Sequence, residues 1–155
     1  MRNRTHTVIW KAAAALAAVI TVGACSGTPH VRSITLTFIR HAESQSNAAH
    51  VINTDVPGPS LTEEGQGQAE QLAHQLSRNN FDAIYVSDMV RTQQTAEPLA
   101  HALGKRVEIL PGLREIEAGK YNDTPTKRAD LTYLLAPADW LNGDVKAAIP
   151  GSISG

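Results

Sequence analysis

Large apolar residues alternate with threonines in Ile34-Thr35-Leu36-Thr37-Phe38-Ile39. That period of two predicts a mostly buried strand. Ala42 to Val51 reads as a short helix, and Pro57-Gly58-Pro59-Ser60 as a break followed by a loop. Ala69, Leu72, Ala73 and Leu76 then recur at helical spacing, which predicts a helix from Thr62 that stops at Asn79-Asn80. Thr62 is placed to cap it, with Glu63 and Glu64 near the positive end of its dipole. Phe81 to Val86 forms the next strand-like run. A helix over Val90 to Leu103 follows, stopped by Gly104 and expected to kink or divide at Pro98. Val107 to Leu110 is a third strand, ended by Pro111-Gly112. Strands alternating with helices predict an α/β fold with a mostly parallel sheet flanked by helices. Beyond Tyr121 the pattern weakens: residues 127–135 read as helical, 139–145 as ambiguous and 148–155 as loop-like.

The first 24 residues do not share this pattern. Arg2, Arg4 and Lys11 make a basic start, and no charged residue occurs from Ala12 to Ala24. A basic region, a short apolar run and small residues before a cut describe a signal peptide over 1–24. Thirteen uncharged residues fall short of the roughly 20 that a spanning helix needs. Extension back to Val8 takes in Lys11 and keeps an uncleaved anchor as the alternative. Cys25 is the single cysteine, which rules out an intramolecular disulfide. Val22-Gly23-Ala24-Cys25 resembles the lipobox of bacterial lipoproteins, and the resemblance implies that Cys25 is acylated and becomes the new N-terminus. Residues 25–32 would then be a lipidated tether, 33–155 the domain, and the cell membrane its extracytoplasmic location.

Without residues 1–24 the chain keeps 11 basic and 15 acidic residues, a formal charge of −4. With no basic stripe and few aromatics for stacking, nucleic acid is excluded as a partner.

Ligands of open α/β sheets bind beyond the carboxyl ends of strands, often at a helix N-terminus. Arg40 and His41 follow the first predicted strand, Ser87 and Arg91 the second, and Glu115 the third. The same residues fall in four blocks: FIRHAESQSN, LTEEGQGQAEQLA, YVSDMVRTQQTAEPLA and LREIEAG. In order and spacing these resemble the histidine phosphatase superfamily, the phosphoglycerate-mutase-like family. The resemblance implies a three-layer α/β domain and phosphomonoester hydrolysis through a phosphohistidine on His41. It implies that Arg40 and Arg91 bind the phosphate as fork-shaped donors and that Asn47 adds a neutral donor. Asn47 reads equally well as a helix-surface residue. Glu115 would protonate the leaving oxygen, a role for a carboxyl whose proton is favoured by burial or by the phosphate's charge. Glu117 is the alternative donor, and the leucine-x-glutamate spacing favours Glu115. No cofactor is implied, and no cluster has metal-ligand spacing. The partner is a small phosphorylated substrate. His50, His74 and His101 lie outside the blocks and read as incidental.

The sequence departs from the family pattern in three places. Ala42 stands where the family has glycine, and its methyl group is expected to crowd the phosphate. Asn122-Asp123 replaces a glutamate and a glycine. No histidine follows His101, so the second catalytic histidine of the family is missing. The chain is therefore expected to be an N-terminal portion of a longer protein, weakly active or inactive alone. A phosphomutase and a non-catalytic phosphate-ligand-binding lipoprotein are the competing functions.

Overall fold

The computed structural model describes residues 33–127 and 133–152. By its contacts the chain divides into two units, Met1–Thr37 and Phe38–Gly155. Residues 1–32, on which the expected signal peptide, Cys25 and the expected tether fall, lie outside the described residues.

Two parallel strands, β1 (Ile84–Val86) and β2 (Val107–Ile109), pair in the register Ile84↔Val107, Tyr85↔Glu108 and Val86↔Ile109. The helix between them, α3 (Val90–Leu103), packs on both strands, as a parallel crossover requires. Pro98 lies within α3 without dividing it. Gly104, at φ +62°, ends it in the left-handed conformation that glycine adopts at low cost. An earlier helix, α2 (Glu63–Leu76), covers α3 and buries Ala69 and Ala73, while α3 buries Thr95, Leu99 and Ala100. Thr62 caps α2 by accepting from the Gly65 amide at 3.0 Å, as its position predicts.

Two predicted elements differ. The helix expected over Ala42 to Val51 shrinks to α1 (Gln45–Ala48), because His50 takes a φ of +54° and turns the chain away. The strand expected over Ile34 to Ile39 does not form: among the described residues these pair with no strand, and Ile34, Leu36 and Phe38 are 85%, 70% and 87% exposed. Alternation makes a stretch able to be a strand, but only hydrogen bonds from a neighbour make it one.

After β2 the chain makes two short 3-10 turns, Pro111–Leu113 and Gly119–Tyr121. A last helix, α4 (Leu135–Leu141), begins at the last residue of the stretch read as helical and runs into the ambiguous stretch 139–145, and residues 128–132 lie outside the described residues. The loop-like end is nonetheless fastened. Ile149 is buried, and the Lys120 amide donates to the Pro150 carbonyl at 2.9 Å. A Cβ on Gly119 would come within 2.5 Å of that carbonyl oxygen, so the contact depends on glycine.

Candidate active site

Beyond the carboxyl ends of β1 and β2 lies a cleft of about 250 Å³, with Arg40, His41, Arg91, Arg114 and Glu115 among its lining residues. Met89 caps α3 from its backbone alone, and Ser87, just past β1, accepts from the Met89 amide at 3.3 Å. The first turn of α3 therefore starts at the cleft and delivers Arg91 into it. The 3-10 turn after β2 brings Arg114 and Glu115 to the opposite wall.

His41 is held at both ring nitrogens. Nδ1 lies 2.7 Å from the Ala42 carbonyl oxygen, and the Arg91 Nε–H donates to Nε2 at 3.1 Å. A carbonyl can only accept and a guanidinium can only donate. The ring satisfying both is the neutral tautomer, with its proton on Nδ1 and a lone pair on Nε2. Burial is the main force lowering the affinity of His41 for a second proton, and the charges of Arg91 and Arg40 add to it. The Ala42 carbonyl and Glu115 pull the other way, with the net shift downward.

A pH dependence follows. Followed by NMR, the His41 ring should titrate below pH 6.5, its ordinary value. The unfolded chain takes up this proton first, so the stability contributed by neutral His41 is intact above about pH 6.5. It is lost as pH falls from there towards the lowered folded value. A midpoint at or above 6.5 would contradict the assignment.

Arg91 is 3% exposed, and its Nη1 is buried without a hydrogen-bond partner among the described residues. A donor left so costs about 1–3 kcal/mol. Arg40 and Glu115 are exposed at the cleft, and Glu115 Oε1 accepts from the Ile116 amide at 3.1 Å. Glu115 lines the cleft and Glu117 does not. Asn47 does not line it either. Its Oδ1 accepts from the Ser44 amide at 3.1 Å and from the Ser44 hydroxyl at 2.9 Å, in the capping box that starts α1. The Ala42 methyl group does not crowd the cleft: Ala42 is buried in a cluster with Leu61 and Ala69.

Two residues with roles here were missed by sequence reasoning. Thr95 Oγ1 accepts from the Ala42 amide at 3.0 Å and donates to the Arg91 carbonyl at 2.7 Å, joining the His41 loop to α3. Arg114 forms a two-pronged ion pair with Asp88, with Nε to Oδ1 at 2.6 Å, and this bond holds the Asp88 carboxyl below its usual range. The pair links the turn after β1 to the Glu115 segment. Membership of the blocks was the one signal available for either residue.

A family model described as histidine phosphatase superfamily (branch 1) matches residues 36–155. The chain belongs to that superfamily. It is 45% identical over 125 residues to PE-PGRS family protein PE_PGRS11 of Mycobacterium tuberculosis, covering 78% of this chain and 21% of that one. Over 82 residues it is 41% identical to "Probable phosphoglycerate mutase GpmB" of Cronobacter sakazakii, covering 53% and 38%. Among solved structures, phosphoserine phosphatase of Entamoeba histolytica in complex with 3-phosphoglyceric acid aligns with a TM-score of 0.57 and 26% identity, over 74% of this chain and 55% of that one. Alpha-ribazole phosphatase of Shigella flexneri aligns at 0.55 and 29%, over 72% and 55%. The α/β fold is thus that of the histidine phosphatases. The chain spans about half the length of these solved structures and less of the two sequence relatives.

Proposed function

We propose that the protein is a phosphomonoester hydrolase working through a phosphohistidine on His41. The observation that carries this reading is the neutral His41 ring, its Nε2 lone pair facing Arg91 in a cleft that also holds Glu115. As the phosphoryl group arrives, the Arg91 Nε–H passes from Nε2 to a phosphate oxygen. The freed lone pair attacks phosphorus, the ester P–O bond breaks, and Glu115 gives its proton to the departing oxygen. Arg40 and Arg91 balance the charge on the phosphoryl oxygens, where most of the catalysis of such a transfer resides. Water then attacks phosphorus, Glu115 takes back a proton, and phosphate leaves with His41 neutral again.

Capture of the phosphoryl group is the first half of the reaction, and its transfer to water is the second. The domain works outside the cytoplasm, held to the membrane through acylated Cys25. This is supported by the VGAC motif and the basic, then apolar, start of the chain. The substrate is a small phosphate monoester, in keeping with the phosphatase names of the solved relatives. A phosphomutase is the second reading, favoured by the relative named as a phosphoglycerate mutase.

The test is to mix the full chain with a small phosphomonoester and look for acid-labile phosphate on the peptide containing His41. Label that forms and passes to water supports a phosphatase, whereas label that passes to an acceptor alcohol supports the mutase. Ester binding without label leaves a non-catalytic binding lipoprotein, and neither binding nor label rejects all three.

A further inference from the structure

Residues 50–55 run antiparallel to residues 122–126, far along the chain. The Ile52 amide donates to the Thr124 carbonyl at 3.0 Å, the Asp123 amide to Ile52 at 2.7 Å, and the Thr126 amide to His50 at 2.9 Å. Val51 and Pro125 form an isolated bridge within this pairing. The side chains that set it are Asn122 and Asp123, the pair that departs from the family pattern. Asn122 Oδ1 accepts from the Thr54 amide at 2.9 Å, Asn122 Nδ2 donates to Asp55 Oδ2 at 2.7 Å, and Asn53 Nδ2 donates to Asp123 Oδ1 at 3.0 Å.

Residues 54–58, which leave this pairing, bond to the segments that carry Glu115 and Arg91. At Thr54, Oγ1 accepts from the Ala118 amide at 2.8 Å. Ala118 is fully buried and stands three residues after Glu115. A few residues on, the Pro57 carbonyl accepts from the Val90 amide at 2.9 Å. A Cβ built on Gly58 would lie 3.1 Å from Arg91 Nη1, which places this backbone directly against the guanidinium. One short segment therefore spans from the Arg91 side of the site to the Glu115 side.

We propose that Thr54 is a positioning residue, fixing the Glu115 segment at the correct distance from Arg91 and His41 through the buried Ala118 amide. The role of Glu115 as proton donor rests on the function proposed above. Within it, Asn122 and Asp123 hold Thr54 in place instead of meeting substrate. The Ala118 amide has no route to water, so removal of the Thr54 hydroxyl leaves a buried donor unpaired and frees the segment to shift.

Leaving-group dependence separates positioning of a proton donor from a general loss of structure. From para-nitrophenyl phosphate the leaving phenolate departs without needing a proton, whereas the alkoxide leaving an alkyl phosphate such as phosphoserine needs one. In the full chain, Thr54→Val should slow phosphoryl capture from phosphoserine about 10- to 100-fold, part of the 10²–10⁴ that a general acid supplies. Capture from para-nitrophenyl phosphate should change less than about twofold, and Thr54→Ser should restore both. Amide hydrogen exchange, which needs no turnover, should quicken at Ala118 and Ile116 in Thr54→Val and return in Thr54→Ser. Should Thr54→Val not fold, Asn122→Ala carries the same comparison, with the same selectivity expected. Equal effects on the two esters, or unchanged exchange, overturn the proposal. Should the parent chain capture phosphate from neither ester, the proposed function fails, and exchange at Ala118 and Ile116 alone decides the role of Thr54.

Discussion

A His41→Ala protein captures no phosphoryl group from a phosphomonoester, with capture reduced on the order of 10⁴-fold or more, as when a covalent nucleophile is removed. His41 is the one histidine among the residues lining the cleft, and its Nε2 carries the lone pair that faces Arg91. The substitution also takes away the acceptor of the Arg91 Nε–H, at a cost of about 1–3 kcal/mol. A His41→Gln protein offers a carbonyl oxygen in place of that acceptor. It should regain stability without regaining capture, and that split distinguishes a lost nucleophile from a damaged site. Rapid-quench labelling measures capture, and urea unfolding measures stability. Label that persists in either variant would place the nucleophile elsewhere.

The second large effect is on stability. Gly65→Ala is expected to destabilise the protein by about 2–4 kcal/mol. A Cβ at Gly65 would lie 2.0 Å from the carbonyl oxygen of Glu43, a backbone atom that no rotamer change can move aside. Relief requires the start of α2 to retreat from Glu43. That retreat breaks the bonds which close the junction: Thr62 N to Glu43 O at 3.0 Å, Thr62 Oγ1 to Glu43 Oε1 at 2.7 Å, and Glu43 N to Gln68 Oε1 at 3.0 Å. Better helix propensity offsets only about 1 kcal/mol of the loss. Gly67, two residues on and also in α2, provides the control, since nothing lies within 4 Å of its missing Cβ. Gly67→Ala should stabilise by up to about 1 kcal/mol. The urea midpoints of the two variants should therefore move in opposite directions, and movement of both the same way would disprove the close contact. Glu43 is two residues from His41, so the same retreat should also disturb the cleft.

Much of the fold and site was legible in the sequence wherever the cause is local. Thr62 caps α2 because a hydroxyl three residues before an amide can reach it, and Gly104 ends α3 because glycine alone accepts a φ of +62° cheaply. Parallel β1 and β2 follow from two apolar runs joined by one helix-length segment. Arg40, His41, Arg91 and Glu115 were legible as a set, and the structure brings all four to one cleft, because each sits just beyond an apolar run.

What only the tertiary structure decided concerns atoms far apart in the chain. The neutral tautomer of His41 is set by Arg91, 50 residues on, and the Ala42 amide is held by Thr95, 53 residues on. Asn47 reads in the sequence as a phosphate donor or a helix-surface residue, and the fold gives its carbonyl oxygen to the capping box with Ser44. Ile34 to Ile39 has the pattern of a strand but, among the described residues, no neighbour to pair with, so its alternation is not expressed. Asn122 and Asp123 read as departures from a motif until their bonds to residues 53–55 gave them a purpose. Sequence periodicity and capping report the free energy of a few neighbouring residues. Tautomer, register and the spacing across a cleft depend on which distant groups the folded chain brings within hydrogen-bonding reach.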